Sequence, residues 1–137
     1  MCGICGVYNA HSGESVSGEM LERMIGSISH RGPDDSGAYL DGPVGLGFAR
    51  LSIIDLSGGH QPMSNETGDV WLVFNGEIWN YKELRKELIE KGHLFRTNSD
   101  TETIVHAYEE YGVGCVARLH GARPRREKTS LLYPSER

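Results

Sequence analysis

The sequence predicts an α+β domain in which helices cover sheet. Three observations point there. Residues 18–29 set Met20, Leu21, Met24, Ile25 and Ile28 on one helical face. Val44, Leu46 and Phe48 alternate along a strand, while residues 70–74 are apolar throughout, as in a strand covered on both sides. Two helical patterns then follow, over residues 81–91 and from Ser99 to Gly112.

Taken in order, the short apolar run 3–8 reads as a strand that carries Cys2 into the core. The helix at 18–29 stops before Arg31-Gly32-Pro33-Asp34, because proline restricts the residue ahead of it and glycine is a poor helix former. Residues 36–41 read as a strand, and 44–54 as a longer one interrupted by glycines. Gly58, Gly59 and Pro62 mark a loop. Leu84 and Leu88, four apart, give the next helix its buried stripe, and Gly92 stops it. Ser99 and Glu102 have capping-box spacing, and Ile104, Val105 and Tyr108 form the buried face that follows. Met20, Met24, Leu84 and Leu88 are assigned to core packing.

At 137 residues the chain is one domain at most, and 38% hydrophobic content suits a globular protein. No apolar run approaches membrane-spanning length, and no cationic stretch leads into an apolar core at the N-terminus. Three cysteines without a disulfide framework point to a reducing, cytoplasmic setting. Charge is uneven: residues 1–117 carry a net −9 and residues 118–137 a net +4. The basic tail lacks the interleaved aromatics and platform of a nucleic-acid arm. It shows neither strand alternation nor a helical stripe, which predicts a disordered tail.

Cys2 follows the initiator Met directly. Once Met1 is removed, one residue carries both an α-amine, titrating near pH ~7.7–8.0, and a thiol near ~8.5. It can then supply a nucleophile and the base that activates it. A rival reading pairs Cys2 with Cys5 as a C-x-x-C zinc or redox motif. That reading lacks a second ligand pair, since only Cys115 remains and no H-x3–5-H pair occurs among the six histidines. His30, His60, His93 and His106 receive no assigned chemistry.

Six motifs occur in register: Cys2-Gly3-Ile4, R-G-P-D at 31–34, A-R-L-S-I-I-D at 49–55, Gln61-Pro62-Met63, F-N-G-E-I-W-N-Y at 74–81 and S-D-T-E at 99–102. Together they resemble the glutaminase domain of class II glutamine amidotransferases, of the asparagine synthetase type. Amidotransferases making glucosamine phosphate or phosphoribosylamine share Cys-Gly-Ile and an Asn-Gly pair but differ at 31–34 and 49–55, and rank second. The resemblance implies a four-layer αββα sandwich of the N-terminal nucleophile kind. It implies Cys2 as nucleophile, with the Asn75 side chain and the Gly76 N–H as oxyanion donors. It assigns Arg50 to the glutamine α-carboxylate, Asp100 and Glu77 to the α-ammonium, and backbone near Leu51 and Ile53 to the pocket wall. Taken singly, Asn75-Gly76 reads as a tight turn, Asp100 as a first-turn helix charge and Glu77 as a surface acid. Arg31 and Asp34 are expected to be structural, positioning a loop over the site.

The resemblance covers residues 2–121; Ala122-Arg123-Pro124-Arg125-Arg126 breaks it. A partial glutaminase domain over 2–121 and an unrelated basic tail over 122–137 are therefore expected. Strands completing both sheets would be missing, leaving edges open. The synthetase domain is expected to be absent, and with it ATP and magnesium. Ser57-Gly58-Gly59 is followed by His-Gln and is not its phosphate loop. No cofactor or metal is expected for the glutaminase part. Glutamine is the expected partner, with no nucleic acid or membrane, and the parent enzyme is expected to be a homodimeric ligase. An inactive fragment retaining the pocket residues is the main alternative, and a small metal or redox protein built on Cys2 and Cys5 the third.

Overall fold

The computed structural model describes residues 2–51 and 59–121 and the backbone of 130–134. The strands are β1 (Gly3–Tyr8), β2 (Asp35–Asp41), β3 (Val44–Arg50), β4 (Met63–Ser64), β5 (Val70–Phe74) and β6 (Ser130–Pro134). The helices are α1 (Gly18–Ile28), α2 (Tyr81–Glu90), α3 (Asp100–Tyr111) and the short α4 (Cys115–Arg118). Two antiparallel three-stranded sheets form, ordered β1-β3-β2 and β4-β5-β6.

Side-chain parity explains how the layers stack. On β3, Val44, Leu46 and Phe48 point to one face, where they meet Val73 and Trp71 of β5, together with Cys2, Ile4 and Tyr39. This is the seam between the sheets. The opposite face of β3 presents Gly45, Gly47 and Ala49 to α1. A Cβ on Gly47 would lie 2.6 Å from Cys5 Sγ and 2.7 Å from Ile25 Cγ1, so the glycine admits the helix close to the sheet. The glycines that seemed to interrupt this strand are its helix-facing half. On β5, Val70, Leu72 and Phe74 face the other way, onto Ile104 and Val105 of α3. The continuous apolar run at 70–74 thus serves two interfaces. The result is α1, sheet, sheet, then α2 with α3: the expected αββα layering.

The second sheet is joined to the first at Gln61. Met63 pairs with Leu72, so continuing that register places residue 61 opposite Phe74. There the buried Gln61 side-chain amide takes over from the backbone. The Phe74 N–H donates to Gln61 Oε1 (2.6 Å), and Gln61 Nε2 donates to the Phe74 carbonyl (3.1 Å). The Gln61 carbonyl meanwhile rests on Gly37 of β2, where a Cβ would collide with it.

Three expectations are corrected. The strand at 44–54 ends at Arg50, and residues 52–58 lie outside the described residues. Ser99 caps α3 by accepting from the Thr101 N–H (3.1 Å), but Glu102 does not close a capping box. Its carboxylate reaches back to the Arg96 N–H (2.6 Å), the Thr97 N–H (2.7 Å) and the Thr97 hydroxyl (2.6 Å). Burial pushes Glu102 up, yet these donors and the His106 imidazole outweigh it and bring its pKa down to about 2. Finally, the tail is not structureless throughout. Ser130–Pro134 pairs with β5 from Phe74↔Ser130 to Val70↔Pro134, because the outer edge of β5 offers unpaired N–H and carbonyl groups. That edge is therefore covered.

Candidate active site

β1 delivers Cys2 to the seam between the sheets, and its register Gly3↔Ala49 sets the thiol beside the end of β3. The Leu51 N–H donates to Cys2 Sγ at 3.4 Å, with the Leu51 carbonyl 3.8 Å from the same sulfur. β5 ends at Phe74, so Asn75 and Gly76 emerge from the second sheet at the same seam. Asn75 Nδ2 donates to the Cys2 carbonyl at 2.9 Å. An amide has two N–H donors. One of them ties the two sheets together across Cys2. Cys2, Leu51 and Asn75 are the predicted residues in direct contact.

The others are placed by their neighbours. Arg50 closes β3; its carbonyl accepts from the Asp34 N–H at 3.0 Å, and Gly32 sits so close to the backbone of Ala49 and Arg50 that a Cβ would collide. The R-G-P-D segment thus braces the strand end that carries Arg50 and Leu51. Asp100 opens α3, and its Oδ2 accepts from the Ile78 N–H at 2.8 Å, holding the chain just after Gly76 and Glu77. Gly76 and Glu77 are exposed. Ile53 lies outside the described residues.

Two site residues escaped the sequence reading. Gly59, at φ 140°, lies over the Arg50 guanidinium, and a Cβ there would stand 3.1 Å from Nη2. Gln61 fixes Phe74, the residue before Asn75. The Gln61-Pro62-Met63 motif carried that second signal without disclosing its role.

The C-x-x-C reading does not survive the geometry. Residues three apart on a strand point to opposite faces. Cys2 joins the seam between the sheets, whereas Cys5 Sγ faces Gly47 on the α1 side. All three cysteines are free, and burial pushes the Cys5 and Cys115 thiols up, away from thiolate chemistry. A separate cleft of about 770 Å³ between α1 and β2, lined by Glu22, Ile25, Pro33 and Ser36, includes none of the predicted site residues. Among the described residues, no helix is long and apolar enough to cross a membrane.

Over 123 residues the chain is 46% identical to asparagine synthetase [glutamine-hydrolyzing] 1 of Bacillus subtilis, covering 88% of this chain and 20% of that protein. It is 44% identical over 121 residues to asparagine synthetase [glutamine-hydrolyzing] 1 of Arabidopsis thaliana, again covering 88% of this chain and 20% of the relative. The chain thus spans about a fifth of these relatives' length. Among solved structures, glutamine phosphoribosylpyrophosphate amidotransferase from B. subtilis superposes with a TM-score of 0.72 at 20% identity, over 98% of this chain and 35% of that one. That likeness concerns the fold. The model of the glutamine amidotransferase domain matches residues 1–123, and the chain belongs to that family.

Proposed function

We propose that this chain hydrolyses glutamine to glutamate and ammonia through a thioester on Cys2, once Met1 is removed. The observation that carries the reading is the junction at the seam. Cys2 Sγ sits at the Leu51 N–H (3.4 Å), and Asn75 is clamped to the Cys2 carbonyl (2.9 Å). The nucleophilic residue and the oxyanion donor are thus joined by one hydrogen bond.

The chemistry balances as follows. The α-amine of Cys2 takes the thiol proton, and the sulfur attacks the glutamine side-chain carbonyl carbon. The Asn75 amide and the Gly76 N–H donate to the oxygen that becomes anionic. As the C–N bond breaks, the proton passes to the departing nitrogen and ammonia leaves. Water then adds to the thioester, the C–S bond breaks, and glutamate and the free thiol are restored. Arg50 matches the α-carboxylate through its planar fork. Asp100 receives the α-ammonium, with Glu77 as a second anionic contact; the Ile78 N–H on Oδ2 sets the orientation of its carboxylate.

In a protein of the relatives' length, the ammonia would serve asparagine formation in a cytoplasmic ligase, with ATP and magnesium held by a synthetase domain. The glutaminase step itself uses no metal in this reading. The test is the intact mass of the purified chain after incubation with 6-diazo-5-oxo-norleucine, a glutamine-shaped electrophile. A single adduct on the Met1-cleaved chain, absent in Cys2→Ser, is expected. A folded, Met1-cleaved chain that stays unmodified would overturn the reading and leave an inactive fragment that keeps the pocket residues.

A further inference from the structure

Four side chains from three separate segments converge beside α3. Glu66 comes from the β4–β5 loop, His93 from the α2–α3 loop, and His106 and Glu109 from one face of α3, three residues apart. One nitrogen or oxygen from each lies within 4.8 Å of all the others. His106 Nδ1 is 2.8 Å from Glu66 Oε2 and 4.0 Å from Glu109 Oε2. His93 Nδ1 is 3.3 Å from Glu66 Oε1 and 3.6 Å from Glu109 Oε2. A tetrahedral zinc ion with bonds of about 2.0–2.1 Å sets its donors roughly 3.3 Å apart. The separations here lie around that value, with the two imidazoles meeting different Glu66 oxygens, and one donor from each residue falls within 4.8 Å of the rest.

Two further observations favour a metal over a simple ionic cluster. First, despite their proximity, both His106 ring nitrogens, His93 Nδ1 and Glu66 Oε2 are buried and make no hydrogen bond. The His106 side chain is 1% exposed and that of His93 10% exposed, so water does not readily satisfy them. Lone pairs left unbonded at such separations are what a shared cation needs. Second, each imidazole turns its other nitrogen toward an outer carboxylate. His106 Nε2 stands 3.6 Å from Glu102 Oε1, and His93 Nε2 stands 3.5 Å from Glu110 Oε2. The His93 contact is a hydrogen bond and the His106 contact is an ionic approach without one; histidine ligands of metals are oriented by outer carboxylates of the first kind. Two neutral imidazoles and two carboxylates also cancel the charge of a divalent ion.

We propose that Glu66, His93, His106 and Glu109 bind one zinc ion as a structural site. Four protein donors close the tetrahedron, so the ion's role is to hold segments together rather than to activate water. It ties the β4–β5 and α2–α3 loops to α3, the helix whose first residue is Asp100. The site goes beyond the glutaminase reading, since it uses none of those residues.

The test takes the full chain, stripped with chelator and titrated with Zn²⁺ and with Co²⁺. One ion per chain is expected. At free zinc about 100 times Kd, mass action raises Tm by about 10 °C. Glu109→Gln, at a side chain 32% exposed and so tolerant of change, is expected to weaken binding at least ~100-fold, as is His93→Gln. Cys5→Ser should leave affinity unchanged, and the cobalt form should lack a thiolate-to-metal absorption band. Absence of stoichiometric binding by folded protein would overturn the site. So would binding that survives both substitutions, or that is lost with the cysteine. The readout is independent of Cys2 alkylation, so failure here and failure of the glutaminase reading are distinguishable.

Discussion

Replacing Gln61 with alanine tests the physical link between the fold and the site. The side-chain amide supplies both hydrogen bonds that the main chain of Phe74 makes on that side, at 2.6 and 3.1 Å, in a position 5% exposed. Removing it leaves one buried N–H and one buried carbonyl without partners. Each unsatisfied group costs about 1–3 kcal/mol, and partial entry of water brings the pair to about 2–4 kcal/mol. With a urea slope of about 2 kcal/mol/M, the middle of the usual range, the midpoint should fall by roughly 1–2 M at unchanged slope. Gln61→Glu separates the two bonds. Its carboxylate still accepts from the Phe74 N–H but sets negative charge against the Phe74 carbonyl, so it should be at least as damaging at neutral pH. Because Phe74 precedes Asn75, both variants should also alkylate more slowly at Cys2 under conditions where they remain folded. A Gln61→Ala chain within about 0.5 kcal/mol of the parent would refute the claim that this amide holds β5 in place.

Three other outcomes are expected. Asn75→Ala should slow glutamine hydrolysis by about 10²–10³-fold, the cost of one oxyanion donor; its loss of the bond to the Cys2 carbonyl should lower stability by only about 0.5–1.5 kcal/mol, read by the urea midpoint. Gly47→Ala inserts a methyl 2.6 Å from Cys5 Sγ and 2.7 Å from Ile25, and overpacking of this kind should cost about 1–3 kcal/mol by thermal melt. Glu102→Ala strips the acceptor from the Arg96 and Thr97 N–H groups and should cost about 3 kcal/mol or more, with Glu102→Gln losing less because it keeps one acceptor oxygen.

The sequence made the elements legible wherever period and punctuation agreed. The run at 70–74 and the helix beginning at Tyr81 are found where the pattern places them. Four things were not legible in the residue pattern itself. The αββα order came from the resemblance, but which parity of β3 meets which neighbour did not, and an alternation of glycine with Val44, Leu46 and Phe48 reads as a weakened strand until α1 is seen against it. The roles of Gln61 and Gly59 arise from contacts across the chain, which no local pattern encodes. The Glu66, His93, His106 and Glu109 cluster joins positions up to 43 residues apart, and only the His106–Glu109 spacing on one helix face hints at it. β6 was missed because its pairing follows from the open edge of β5 rather than from its own composition.

The site is divided between layers, and this decides what an activity measurement on this chain can report. Cys2 and Leu51 belong to the first sheet, Asn75 and Gly76 continue from β5 in the second, and Asp100 opens a helix of the fourth layer. Three of the four layers contribute one part each, and no single layer holds both the proposed nucleophile and its proposed oxyanion donors. Specific ties between layers include Asn75 to the Cys2 carbonyl, Gln61 between Gly37 and Phe74, and Asp100 to the Ile78 N–H. Alkylation of Cys2 by a glutamine-shaped reagent therefore reports closure of the sandwich as well as thiol reactivity. A small, shapeless thiol reagent reports accessibility alone. The ratio of the two rates should fall in Gln61→Ala and hold in Val116→Ala, an exposed position on α4 remote from the seam. Equal ratios in the two variants would mean that the pocket does not depend on the registry of the two sheets.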